Sequence, residues 1–165
     1  MSSVLSVDPE PCPPPARRRS QAALRESLRD LSIQFGLLNH HVGVHLDLKD
    51  SDLHCLDLID RHGPVSPGAL ARRAGLHPAT LTGILDRLER GGWIARVRDP
   101  SDRRAVTLRA LRDRNGELLG LYSGMNGAVQ RICADYDDAQ LALLADFVKR
   151  VADAGRAANE GLAEG

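Results

Sequence analysis

The stretch GPVSPGALARRAGLHPATLTGILDRLERGGWIARVRDPSDRRAVTLR, residues 63–109, decides the fold. Ser66-Pro67 sets a hydroxyl acceptor before a residue whose φ is already helical, which predicts a helix start, and Gly75 predicts its end. Leu70, Ala71 and Ala74 share one side of a 3.6-residue period. His77-Pro78 opens a second helix, in which Leu81, Ile84, Leu85 and Leu88 form a single apolar stripe. That leaves Ala79, Thr80, Thr82, Gly83, Asp86 and Arg87 outward or flanking. Gly91-Gly92 stops this helix. Residues 93–98 then read as a strand and 104–109 as its partner, with Val106 and Leu108 alternating against Thr107 and Arg109.

Two helices joined by a short turn, the second with small and hydroxyl residues at its outward N-terminal end, have the form of a recognition helix that enters a major groove. An ordinary helical hairpin has the same periodicity. The sequel favours double-stranded DNA: a β-hairpin with Asp99-Pro100-Ser101-Asp102-Arg103-Arg104 at its tip can lower guanidinium groups into a narrow minor groove, where negative potential concentrates. The competing account of that tip is a solvated charged turn.

Residues 53–109 resemble the winged helix–turn–helix domain of the MarR family of transcriptional regulators. The resemblance rests on Leu-Glu-Arg-Gly-Gly-Trp-Ile at 88–94 and Asp-Pro-Ser-Asp-Arg-Arg at 99–104, and in outline extends over residues 20–160. It implies that Arg104, with Arg103 beside it, is the minor-groove arginine. The sequence departs from the family at Gly83, a recognition-helix position where the family often has Arg, which removes a contact and loosens the helix. It departs again after the second strand, where Leu108-Arg109-Ala110-Leu111 replaces the family's usual Leu-Thr. Gly116, Gly120, Gly124 and Gly127 then weaken the helix that follows.

Charge is distributed as a DNA-binding module requires. The chain is formally neutral, yet residues 61–114 hold twelve Arg against five acidic residues, a net of +7, leaving −7 elsewhere. Lys49 and Lys149 are the only lysines. Arg suits forked contacts to phosphate and to guanine edges, and phosphate contacts make binding salt-dependent. With only five aromatic residues, Phe35, Phe147, Tyr122, Tyr136 and Trp93, stacking on single strands is an unfavoured mode.

Outside this module, Leu24, Leu28, Leu31, Phe35, Leu38 and Val42 alternate by fours and threes. Leu118, Tyr122, Met125, Val129, Ile132 and Tyr136 repeat the pattern, and Leu141, Leu144, Val148 and Val151 continue it after a break at Asp137-Asp138. Such stripes seek other helices. Intertwined helices from two chains would bury them and present two recognition helices to a pseudo-palindromic operator with half-sites about one turn apart; packing within one chain is the alternative.

The expected fold class is therefore mainly α, a winged helix–turn–helix domain with N- and C-terminal dimerisation helices. Four segments follow: a disordered Pro/Arg-rich tail over 1–19, an N-terminal dimerisation helix over 20–48, the DNA-binding domain over 49–110, and C-terminal dimerisation helices over 111–160. Expected DNA-binding residues are Ser66, His77, Ala79, Thr80, Thr82, Gly83, Arg87, Arg103 and Arg104. Thr80, Thr82 and Arg87 would meet the major groove or its phosphates. Ser66 and its helix N-terminus would meet the backbone.

No nucleotide-binding glycine loop, nucleophile elbow or paired-histidine zinc motif is present, so no enzymatic activity and no cofactor are expected. His41 and His45 are spaced i, i+4 and His54 is nearby; these are the candidate metal ligands, but they match no strict signature and no metal is expected. Cys12, Cys55 and Cys133 form no Cys-x-x-Cys pair, which predicts free thiols, with Cys55 on an apolar stripe. No apolar run reaches the ~18 residues of a membrane span, and no signal-peptide core precedes Pro15, so a cytoplasmic location is expected. The function so read is a sequence-specific, ligand-responsive repressor taking a small-molecule effector. The alternatives are a metal- or redox-sensing regulator of the same fold and a winged-helix protein-interaction module.

Overall fold

The structure, a computed structural model, describes residues 14–98 and 106–163 of the 165. Its elements are α1 (Pro15–Leu46), α2 (Asp50–His62), α3 (Pro67–Ala74), α4 (Pro78–Arg90), β1 (Ile94–Arg98), β2 (Val106–Ala110), a 3₁₀ turn (Arg112–Arg114), α5 (Asn115–Cys133) and α6 (Asp138–Ala163). This is the mainly helical winged helix–turn–helix architecture that the sequence predicts. The chain divides into two compact units between His41 and Val42.

The first unit is the long N-terminal part of α1. It starts earlier than expected: Arg17, Arg18 and Arg19, assigned above to the tail, lie in the helix, and the Arg18 N–H reaches the Pro14 carbonyl at 3.1 Å. The proline run misleads because Pro15 sits at the helix start, where its missing N–H costs nothing, and alanine and arginine then propagate the helix. Residues 1–13 of the expected tail lie outside the described residues. Leu24, Leu31, Ile33, Phe35 and Leu37 are all exposed.

In the second unit α1 ends in a tight turn. The Leu48 N–H donates to the Gly43 carbonyl at 2.9 Å, Asp47 takes a left-handed φ of 53°, and a Cβ on Gly43 would lie 2.6 Å from the Leu48 oxygen. Only glycine fits there. The core gathers Cys55, Leu56 and Ile59 of α2, Leu70 and Ala71 of α3, the full Leu81, Ile84, Leu85 and Leu88 stripe of α4, and Trp93, Ile94 and Leu108 of the wing base. Ala74 packs on its margin.

The two strands are antiparallel, with Ile94 opposite Ala110, Arg96 opposite Leu108 and Arg98 opposite Val106. Val65 adds a bridge that sequence alone does not reveal, exchanging both backbone hydrogen bonds with Leu108. A single paired residue between Pro64 and Ser66 has no period to detect. Trp93 belongs to the turn rather than to the strand.

After the wing, α5 runs unbroken through its glycines, and among the described residues nothing beyond the helix's own nearby backbone lies within 4 Å of where a Cβ would stand on Gly116, Gly120 or Gly124. Asp137 starts α6 through a reciprocal box: its carboxylate accepts the Gln140 N–H, and the Gln140 side-chain oxygen accepts the Asp137 N–H. Both helices leave apolar side chains in solvent, with Leu119 62% and Leu143 70% exposed. Val129, Ile132, Tyr136, Leu144, Val148 and Val151 of the predicted stripes are exposed as well. Among the described residues, no helix is long and apolar enough to cross a membrane.

Candidate nucleic-acid interface

Both helices of the helix–turn–helix start on a side-chain cap followed by proline. Ser66 Oγ accepts the Ala69 N–H at 3.3 Å, and His77 Nδ1 accepts the Ala79 N–H at 3.3 Å. Gly75 closes α3 with φ 63°, a left-handed conformation suited to glycine. With the α4 stripe buried, the 3.6-residue period places Ala79, Gly83, Asp86 and Arg90 on the opposite ridge, flanked by Thr80 and Thr82. Pro78, Ala79, Thr80 and Thr82 are all exposed.

The chemistry of this ridge differs in detail from a simple row of donors. Thr82 Oγ1 donates to the Pro78 carbonyl at 3.0 Å, so its hydroxyl hydrogen is used inside the helix and its lone pairs remain to accept. Among the described residues, a Cβ on Gly83 would meet only an Arg87 guanidinium nitrogen at 3.7 Å, so no packing among them requires glycine there. Small residues at 79 and 83 leave room for a close approach of the helix backbone to a groove.

Arg87, expected to reach the major groove or its phosphates, has its guanidinium on Asp52 at the start of α2, with Nε at 3.0 Å and Nη2 at 2.6 Å from the two carboxylate oxygens. Asp52 is 1% exposed and also accepts the Lys49 N–H. A buried carboxylate needs such a partner, so Arg87 ties α4 to α2. Its hydrogen bonds to Asp52 raise its pKa.

Two further arginines are structural, and sequence reasoning gave them no individual role. Arg96 of β1 binds Asp86 at 2.6 Å and also Glu89, the two acidic residues of α4. The hydrogen bond to Asp86 leads the causes that raise its pKa. This pair joins the wing to the recognition helix and neutralises carboxylates that would otherwise repel phosphate. Arg114 donates to the Gly91 carbonyl at 2.8 Å, pairs with Glu117 at 2.8 Å and lies 3.9 Å over the Trp93 ring.

Arg61 pairs with Asp57. Among the described residues, no ion pair engages Arg72 or Arg73 of α3, Arg90 of α4, Arg98 and Arg109 of the wing strands, or Arg112. The basic excess of the domain is thus divided between arginines that hold the fold through ion pairs and arginines that no ion pair among the described residues engages. No local signal in the sequence separates the two sets, because the partners are set by tertiary packing.

Arg103 and Arg104 lie outside the described residues. Arg98 and Val106 are the last pair of the ladder before the segment 99–105 that carries both arginines.

Among the described residues, no three His, Cys, Asp or Glu side chains are placed to hold a metal ion, and His41, His45 and His54 are each exposed. Cys55 is fully buried, and burial, then the charge of Asp52, pushes its thiol up to about 11. It is a protonated core side chain at neutral pH rather than a reactive thiolate. Cys133 is half-buried, and Cys12 lies outside the described residues.

The fold and this site define a winged helix–turn–helix DNA-binding protein. Residues 48–106 match the sequence model of the MarR family. The chain is 29% identical over 140 residues to the HTH-type transcriptional regulator YcgE of Bacillus subtilis, covering 82% of this chain and 91% of that protein. It is 26% identical over 129 residues to the HTH-type transcriptional repressor YetL of the same organism, covering 77% and 75%. In fold it is similar to Streptococcus pneumoniae FabT, solved in complex with DNA, with a TM-score of 0.59, 22% identity and coverage of 83% and 95%. Over residues 48–106, the helix–turn–helix and the first strand of the wing, the chain is similar to the MarR family, and its relatives are HTH-type transcriptional regulators.

Proposed function

We propose that this regulator is a homodimeric, ligand-responsive repressor that binds a pseudo-palindromic operator. The observation that carries the reading is the outward N-terminal end of α4. There Ala79, Thr80, Thr82 and Gly83 form a small, hydroxyl-bearing surface on the ridge that also carries Arg90, which no ion pair among the described residues engages. Thr80 and Thr82 read base edges, Ser66 and His77 bring their helix starts to the phosphates, and Arg103 with Arg104 enters the minor groove. Arg87 acts indirectly, by holding α4 in place.

The uncovered stripes of α1, α5 and α6 support the dimer, since apolar faces of this extent are normally buried against another surface. Effector control follows when a small molecule binds two dimer states unequally and so changes the distance between recognition helices.

The test is equilibrium binding to duplexes selected by the protein from a random-sequence library, measured across a salt series. Arg104→Ala is expected to weaken binding and to lower the slope of log K against log salt by about one. An unchanged affinity and slope would remove the wing from the interface.

A further inference from the structure

The start of α5 is tied to the end of the recognition helix by one side chain. Its N-cap position is Arg114, which makes no side-chain capping bond. The side chain instead reaches back across the turn that ends the recognition helix. It donates to the Gly91 carbonyl, stacks on Trp93, passes 3.9 Å from where a Cβ would stand on Gly92, and is held from behind by Glu117. The Leu111 N–H donates to the Trp93 carbonyl at 2.8 Å, so the connection from β2 to α5 is pinned at both ends.

The other side of this joint is stiff. Gly92 has φ +72°, and a Cβ on Gly91 would come 2.8 Å from the Trp93 ring. Trp93 itself is 1% exposed. A cation beside the last carbonyls of α4 also suits the negative end of that helix, and its position over the indole face adds a directional contact. Two contacts from one side chain, to the Gly91 carbonyl and to the Trp93 ring, therefore tie the start of α5 to the end of the recognition helix, and Glu117 holds that side chain from within α5.

We propose that Arg114 is the positioning residue that sets the spacing between the two recognition helices, and hence the operator half-site spacing that the dimer accepts. The proposal rests on the dimeric reading above. If α5 carries the dimer contact, an angle fixed at Arg114 is applied twice by the two-fold axis. Recognition helices held at one separation accept one spacing; helices on a loosened joint adapt to several.

The experiment takes the duplex that the wild-type chain selects from a random library and remakes it with one base pair inserted or removed between half-sites. That change moves them by ~3.4 Å and rotates them by ~34°. Wild type is expected to bind the altered duplexes at least about 30-fold more weakly, whereas Arg114→Ala loses less than about fivefold while its helical circular dichroism is retained. Glu117→Ala, an exposed change that leaves the core intact, is expected to shift discrimination in the same direction by a smaller factor, and it serves if Arg114→Ala does not fold. Full wild-type discrimination in the variants that fold overturns the role of Arg114 alone. A wild-type protein indifferent to spacing contradicts the dimeric reading beneath it.

Discussion

Arg87→Ala is expected to destabilise the protein by about 3 kcal/mol, seen as a lower urea midpoint at fixed protein concentration with an unchanged denaturant slope. The effect exceeds that of an ordinary surface ion pair because the two partners are buried unequally. The Arg87 side chain is 36% exposed, whereas that of Asp52 is 2% exposed. Removing Arg87 leaves a desolvated carboxylate to which, among the described residues, the Lys49 N–H still donates. Removing Asp52 leaves a guanidinium that water can reach, so Asp52→Ala is expected to cost less, about 1–2 kcal/mol. Equal costs in the two variants would contradict this asymmetry. Any loss of DNA binding by Arg87→Ala should then track the unfolded fraction rather than a lost groove contact.

Ala79→Glu should do the reverse, abolishing DNA binding while leaving stability unchanged or slightly raised. Ala79 is exposed in the first turn of α4, where a carboxylate suits the positive end of the helix and contributes a few tenths of a kcal/mol. Facing a groove, the same carboxylate meets phosphates of like sign and takes room that alanine leaves open. The expected loss is about 100-fold or more in affinity, from like-charge contact across an interface. Thermal melting and anisotropy on the same preparation separate the two effects. Retained affinity in a folded Ala79→Glu protein would move the interface off α4.

What the sequence made legible was what local physics controls. The α4 stripe, the Ser66 and His77 starts and the Gly75 stop depend on residues within one or two turns, and each lies where periodicity and capping placed it. The wing strands followed from alternation over a few residues. Pairings across the chain were not legible. Asp52 and Arg87 are 35 residues apart, Arg96 reaches back to Asp86 and Glu89, and Arg114 to Gly91 and Trp93. A flanking position on a helix wheel therefore gave no sign that Arg87 pairs with a buried carboxylate on another helix. Charge counting found the basic domain but did not divide its arginines. The Pro15 start failed for a related reason, because proline breaks a helix interior but suits its first position.

Hydroxyl-radical footprinting of the wild-type protein on its selected duplex tests the central claim most directly. The account predicts two protected segments related by a two-fold axis, with centres about one helical turn apart and flanking protection in the minor groove. A single protected segment, or none at salt concentrations where the protein is folded, would contradict it.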